Sequence, residues 1–311
     1  MKKIATRDAY GKALVELGKQ HQDVVVLDAD LSKSTKTADF AREFPERFIN
    51  AGIAEQNMVG MAAGLASAGK TVYASTFAIF ATGRAFEVVR NSVAYSNMNV
   101  KLCASHAGIT VGEDGGSHQS VEDIALMRSM PNMTVVVPAD GVSAAQAVFA
   151  IYDIKGPAYL RLGRPAVPVI YQENSPFKIG QANRLRRGKD AAIIACGIMV
   201  GKALEAAQQL AQEGIEVAVV DMHTIKPLDE AIIIELARET GAILTVEEHS
   251  IIGGLGSAVC ETVCAQYPVP VIRMGINDSF GQSGGPDELL QYYGLTVEKI
   301  VNNVRDLMRK K

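Results

Sequence analysis

Short, almost purely apolar runs alternate along the chain with longer segments whose apolar positions recur every three or four residues. The runs VVVLDAD (24–30), TVYAST (71–76), VKLCASH (100–106), TVVVPA (134–139) and AYLRL (158–162) are short, and several are rich in β-branched residues. They predict buried strands. Helical patterns such as GRAFEVVRNSVAY (83–95) and GVSAAQAVFAIYDI (141–154) lie between most of them. Strands without polar alternation, joined by helices, are the signature of a parallel sheet covered on both faces.

The pattern breaks after Arg164. The stretch PAVPVIYQENSPFKIGQANRLRRGKD holds Pro165, Pro168, Pro176, Gly180 and Gly188 and shows no helical period. It predicts a linker with one short strand. The alternation then restarts: strands at 191–197, 216–222, 243–248 and 269–276, and helices at 200–212, 229–240 and 297–309. The expected architecture is α/β, with two domains of mainly parallel sheets covered by helices: 1–165, a linker at 166–188, and 189–311.

A chain of 311 residues exceeds what one compact core usually holds, which agrees with two domains. The net charge of −3 gives no electrostatic reason to expect nucleic acid or an anionic membrane as partner. No apolar run approaches the ~18–20 residues of a membrane span. Lys2 and Lys3 are not followed by the apolar core of a signal peptide, so the chain reads as cytoplasmic. The four cysteines (Cys103, Cys196, Cys260 and Cys264) lack metal-ligand spacing and read as buried, reduced thiols; no metal site is expected on this chain.

In open parallel sheets, ligands bind beyond the carboxyl ends of the strands. The loop there with the most chemistry is HAGITVGEDGGSHQS (106–120). It carries His106, Glu113, Asp114 and His118 among four glycines. A turn is one reading of Asp-Gly, but two of the chain's five histidines flanking an acidic pair favour a site. A second feature is AGIAEQNMVGMAAGLASAGK, an apolar helix with Glu55 at its front edge. An acidic first turn is ordinary helix chemistry. GGLGS (253–257) could hold an anion, but a tight strand-to-helix turn is the simpler reading.

Three stretches make the chain resemble the C-terminal half of a transketolase: AGIAEQNMVGMAAGLASAGKTVYASTFAIF, GEDGGSHQSVEDIALMRSMPNMTVVVPAD and VEEHSIIGGLGSAVCE. The resemblance covers nearly the whole chain, as a pyrimidine-binding domain followed by a C-terminal domain. It implies a thiamine diphosphate and Mg²⁺ enzyme whose diphosphate- and metal-holding domain, with its Gly-Asp-Gly…Asn motif, resides on an N-terminal partner subunit. The implied assembly is a heterotetramer that moves a two-carbon ketol unit between sugar phosphates.

The same resemblance implies the site residues. Glu55 would hydrogen-bond a ring nitrogen of the cofactor's aminopyrimidine; set among Ala, Gly and Met, its pKa is expected to rise. Phe77 and Phe80 would pack on that ring, and Asp30 would lie near it. Arg7, Ser34, His106 and Arg164 would line a phosphate pocket, while Asp114 and His118 would bind the donor's oxygens, His118 also taking part in catalysis. Gly83 stands where family members carry a Tyr, and Gly116-Ser117 replaces Pro-Thr; both departures bear on specificity. The alternatives are a 1-deoxy-D-xylulose-5-phosphate-synthase-like enzyme, a 2-oxo acid dehydrogenase E1 beta subunit, or a non-enzymatic orphan subunit that keeps the fold.

Overall fold

The computed structural model describes residues 2–311. Its strands are β1 (Lys3–Ala5), β2 (Val24–Asp28), β3 (Phe48–Asn50), β4 (Thr71–Phe77), β5 (Val100–Ser105), β6 (Thr134–Val136), β7 (Ala158–Arg161), β8 (Ala166–Pro168), β9 (Asn183–Arg186), β10 (Ala191–Ala195), β11 (Val217–Asp221), β12 (Thr224–Lys226), β13 (Ile243–Ser250) and β14 (Val271–Ile276). The first large sheet has the order β12-β6-β7-β5-β4-β2-β3, and the second β14-β13-β10-β11-β9. Every pairing in them is parallel except β12 with β6 and β9 with β11.

The apolar runs are continuous because both faces of each sheet are buried. In β2, Val24 and Val26 pack with Tyr10, Leu14 and Ala147 on one face. Val25 and Leu27 pack with Met58, Val59 and Ala62 on the other. The helices Thr6–Gln20 and Gly141–Tyr152 cover the first face, and Glu55–Ser67 the second.

Two features differ from the sequence reading. The stretch 166–188 carries two strands, and they serve different sheets: β8 pairs with β1, while β9 forms the edge of the second sheet. The chain also crosses back. After β11 it adds β12 to the edge of the first sheet, Thr224 opposite Val136, and Val137 N–H donates to the His223 carbonyl at 2.8 Å. One apolar core therefore runs across both halves, joining Ile124, Met127 and Val135 to Met222, Ile225 and Ile233.

The segment after β8 is pinned at both ends. Asp140 caps the helix Gly141–Tyr152 by accepting from Ser143 N–H at 2.8 Å. Its other oxygen accepts from the Ile170 and Tyr171 N–H groups at 2.6 and 2.9 Å. The Tyr171 hydroxyl donates to Asp221 at 2.7 Å, and the second Asp221 oxygen is buried without a partner. Burial pushes the Asp221 carboxyl up to about 8, only partly opposed by the Tyr171 bond.

A carboxyl whose folded pKa is raised contributes stability below its unfolded pKa and loses it as pH rises through the folded value. Between about pH 4 and pH 8 Asp221 therefore makes folding progressively less favourable. Asp221→Asn, which cannot ionise, is expected to melt several degrees above wild type at pH 8 and close to it at pH 4. Thermal melts across that range check the divergence; a constant offset at all pH values would refute the assignment.

Candidate active site

The carboxyl ends of β2, β4, β5 and β7 bring the predicted residues to one edge. Phe77 ends β4, and Phe80 follows on a π-helical turn, Phe80–Arg84. A second π-helical turn, Val89–Tyr95, follows the short α-helical turn Phe86–Val88, in place of the regular helix expected from 83 to 95. The Phe77 and Phe80 rings lie nearly parallel, 12° apart, with centroids at 5.9 Å. His106 stacks on Phe77 at 3.8 Å, and His118 meets Phe80 edge-on at 5.6 Å.

Glu55 begins the helix Glu55–Ser67, and its side chain is 3% exposed. The apolar surroundings expected from the sequence are incomplete. Arg84 Nη1 donates to both carboxylate oxygens, at 3.0 and 3.1 Å, and its guanidinium lies 4.7 Å from the Phe80 ring centre. The sequence did not mark Arg84, which ends the π-helical turn.

His106 has a left-handed backbone, φ 58°. It is buried, and its ring is held by two contacts: Arg7 Nη1 lies 3.2 Å from Nε2, and Ser105 Oγ lies 2.9 Å from Nδ1. An arginine only donates, so Nε2 accepts and Nδ1 carries the proton. Burial above all, then the charges of Arg7, Arg164, His118 and Lys36, pushes His106 down to about 3. It is a neutral acceptor that aims Arg7 and offers no donor on Nε2.

Arg7 also donates to the Ser34 carbonyl at 3.0 Å, so that residue's backbone is what it engages. Arg164 donates to the Val111 carbonyl and lies 3.3 Å from Glu113 and 3.7 Å from Asp114. Asp114 and His118 thus reach the same edge, His118 beside Ser117 Oγ at 3.1 Å. Asp30, also left-handed at φ 64°, is exposed and tied to Asn50.

Two glycines explain the loop's tight seat. A Cβ on Gly108, which has φ 80°, would stand 2.3 Å from the Glu248 carboxylate. A Cβ on Gly116 would stand 2.5 Å from the Gly281 carbonyl, so a proline ring in this position would force the loop off its neighbour. Gln119 fastens the loop, its amide nitrogen reaching the carbonyls of Ile109, Gly112 and Gln282 at 2.9–3.1 Å.

Residues 2–169 match the transketolase pyrimidine binding domain, and residues 180–300 the transketolase C-terminal domain. The chain belongs to the transketolase family. It is 52% identical over 307 residues to a transketolase C-terminal section from Methanocaldococcus jannaschii, covering 98% of this chain and 96% of that one. It is 43% identical to human transketolase over 312 residues, 99% of this chain and 50% of that protein. A solved split-gene transketolase, described as an inactive β4 tetramer, superposes with a TM-score of 0.94 at 55% identity, covering 99% of each chain.

Within this transketolase subunit, the third resembling stretch proves to be a junction between the halves. Glu248 accepts from Thr110 N–H at 2.7 Å. Glu247 accepts from the Leu255 and Gly256 N–H groups at 2.7 and 2.8 Å. The GGLGS helix start is therefore filled by the protein's own carboxylate. Arg161 joins the cluster through Asp123, at 2.7 and 3.1 Å, and through the Glu248 carbonyl at 3.0 Å. Of the cysteines, Cys103 and Cys196 are buried as expected, Cys260 is half-buried and Cys264 is exposed. No helix among the described residues is long and apolar enough to cross a membrane.

Proposed function

We propose that this chain supplies the pyrimidine-binding half of a thiamine diphosphate site. With a diphosphate-holding partner subunit, in a heterotetramer, it would move a two-carbon ketol unit from a ketose phosphate to an aldose phosphate. The observation that carries the reading is one continuous row. It runs from the buried Glu55 through Arg84, Phe80 and Phe77 to His106 and Arg7, with Arg164 fastened to the neighbouring loop at the Val111 carbonyl.

The residues fit an aminopyrimidine. Phe77 and Phe80 present parallel rings suited to a flat heteroaromatic. A planar N–H group lying over Phe80 already reaches the Glu55 carboxylate. When bound, thiamine diphosphate supplies the carbanion chemistry and the electron sink, and the protein supplies orientation and proton traffic. Glu55 would hold and move a proton at the ring nitrogen. Asp114 and His118, at the mouth, would bind the donor's hydroxyl and carbonyl oxygens, and Asp30 would face the partner beside the cofactor. Arg7 and Arg164, with Ser34 beside them, would grip the terminal phosphate as charged, planar donors, while His106 fixes the aim of Arg7. Among the described residues no group of three or more His, Cys, Asp or Glu is placed to hold a metal ion. In this reading, as the family resemblance implies, Mg²⁺ and the diphosphate would be held by the partner subunit.

Reconstitution tests this. The chain alone should not turn over xylulose 5-phosphate with thiamine diphosphate and Mg²⁺; the chain with its partner should. In the active complex, Arg164→Ala should raise KM for a phosphorylated ketose by about 10- to 100-fold and leave an unphosphorylated one such as erythrulose nearly unchanged. A charge-assisted bond of roughly 1.5–3 kcal/mol is lost only with the phosphate. Its present partners Glu113 and Asp114 are exposed, so those pairs are weak competitors. Equal losses on both sugars would make Arg164 a structural residue and remove the phosphate assignment.

A further inference from the structure

The Arg84 guanidinium is planar, carries N–H groups, lies over Phe80 and bonds both oxygens of Glu55. An aminopyrimidine, on the function proposed above, would make the same two contacts: its face on the aromatic pair and a ring nitrogen on Glu55. Both cannot occupy that place. We infer that Arg84 is a placeholder for the ring, holding Glu55 in the free chain and stepping aside when the cofactor enters.

Four observations support a residue built to leave. Its side chain is 52% exposed, while the carboxylate it holds is 3% exposed, so the route out is open to solvent. Nη1 supplies both hydrogen bonds to Glu55, leaving the rest of the fork uncommitted to that carboxylate. Its backbone stays anchored, with the Arg84 carbonyl accepting from the Gln56 amide at 3.2 Å. The turn it ends is π-helical, and the preceding Gly83 is exposed, a Cβ there meeting only Ile79 Cδ1 at 3.8 Å. Gly83 thus places no side chain of its own beside Arg84.

The device answers a physical problem. A buried carboxylate without a partner is costly, and a subunit that acquires its cofactor only on assembly must exist without it. Arg84 satisfies Glu55 meanwhile, and its displacement exchanges a cation for a neutral ring against the same carboxylate. The exchange weakens cofactor binding by the strength of the pair that must be broken.

The test is calorimetric titration of thiamine diphosphate with Mg²⁺ into the assembled complex. Arg84→Met should bind the cofactor roughly 3- to 10-fold more tightly than wild type, the range of a partly exposed ion pair with its aromatic contact. Arg84→Lys, which keeps the charge without the planar fork, should tighten binding by less, and it serves if the Met variant does not fold. In melts of the chain alone, Glu55→Gln and Arg84→Met should be coupled; at saturating cofactor in the complex that coupling should vanish. Unchanged or weaker binding by the Arg84 variants, or coupling that persists with cofactor bound, would overturn the placeholder and leave the proposed function standing. A wild-type complex that binds no cofactor would overturn both.

Discussion

Glu55→Gln is expected to fold, to bind cofactor in the assembled complex, and to lose about 10²- to 10⁴-fold in ketol transfer, the usual cost of removing a positioned acid–base group. Glutamine keeps the shape and one oxygen to accept from Arg84, so packing at the head of the helix Glu55–Ser67 is preserved. It cannot take up or share a proton. The loss should fall on kcat and equally on kcat/KM, as for an interaction made chiefly in the transition state. Hydrogen–deuterium exchange at the cofactor's thiazolium carbon isolates the step. Wild-type exchange in the variant would return Glu55 to the ordinary role of an acidic group in a first helical turn.

The largest effect on stability is expected at Arg161, where β7 meets the second half. Burial pushes the Asp123 carboxyl up, and the Arg161 charge and hydrogen bonds outweigh it, holding the group below its ordinary range. The Tyr159 hydroxyl adds a bond to Asp123 at 2.6 Å. Arg161→Met leaves that carboxylate buried and unpaired. It should cost about 3–5 kcal/mol, read from chemical denaturation of the chain. Replacing the pair together, Arg161→Met with Asp123→Leu, should recover part of the loss, because the Asp123 charge is no longer stranded while the buried Glu247 and Glu248 still lose the Arg161 charge. A single variant costing under about 1 kcal/mol would show that the halves are held elsewhere.

The central strands of both sheets were legible because they are buried on two faces, so their residues are apolar without alternation. The run Val24–Asp28 reads correctly for that reason. β12 was not legible. Thr224–Lys226 is three residues with one Ile, and only its place against Val135 and Val136 makes it a strand. At the site, the loop 106–120 announced itself through histidines and acids among glycines. Arg84 did not, since a lone arginine four residues after Phe80 has the ordinary look of a solvated helix face. The stretch VEEHSIIGGLGS was legible as a resemblance but not as to its work. Its carboxylates turn inward to backbone N–H groups, and its Glu248 carbonyl accepts from Arg161, a use that spacing alone does not distinguish from a ligand site.

The return of the chain to the first sheet through β12 makes the two halves poor candidates for separation. A cut within 166–188 would leave β6 as a raw edge, its N–H and C=O groups open to any passing strand. The other fragment would carry Thr224–Lys226 as a loose arm with a ready template in a second molecule.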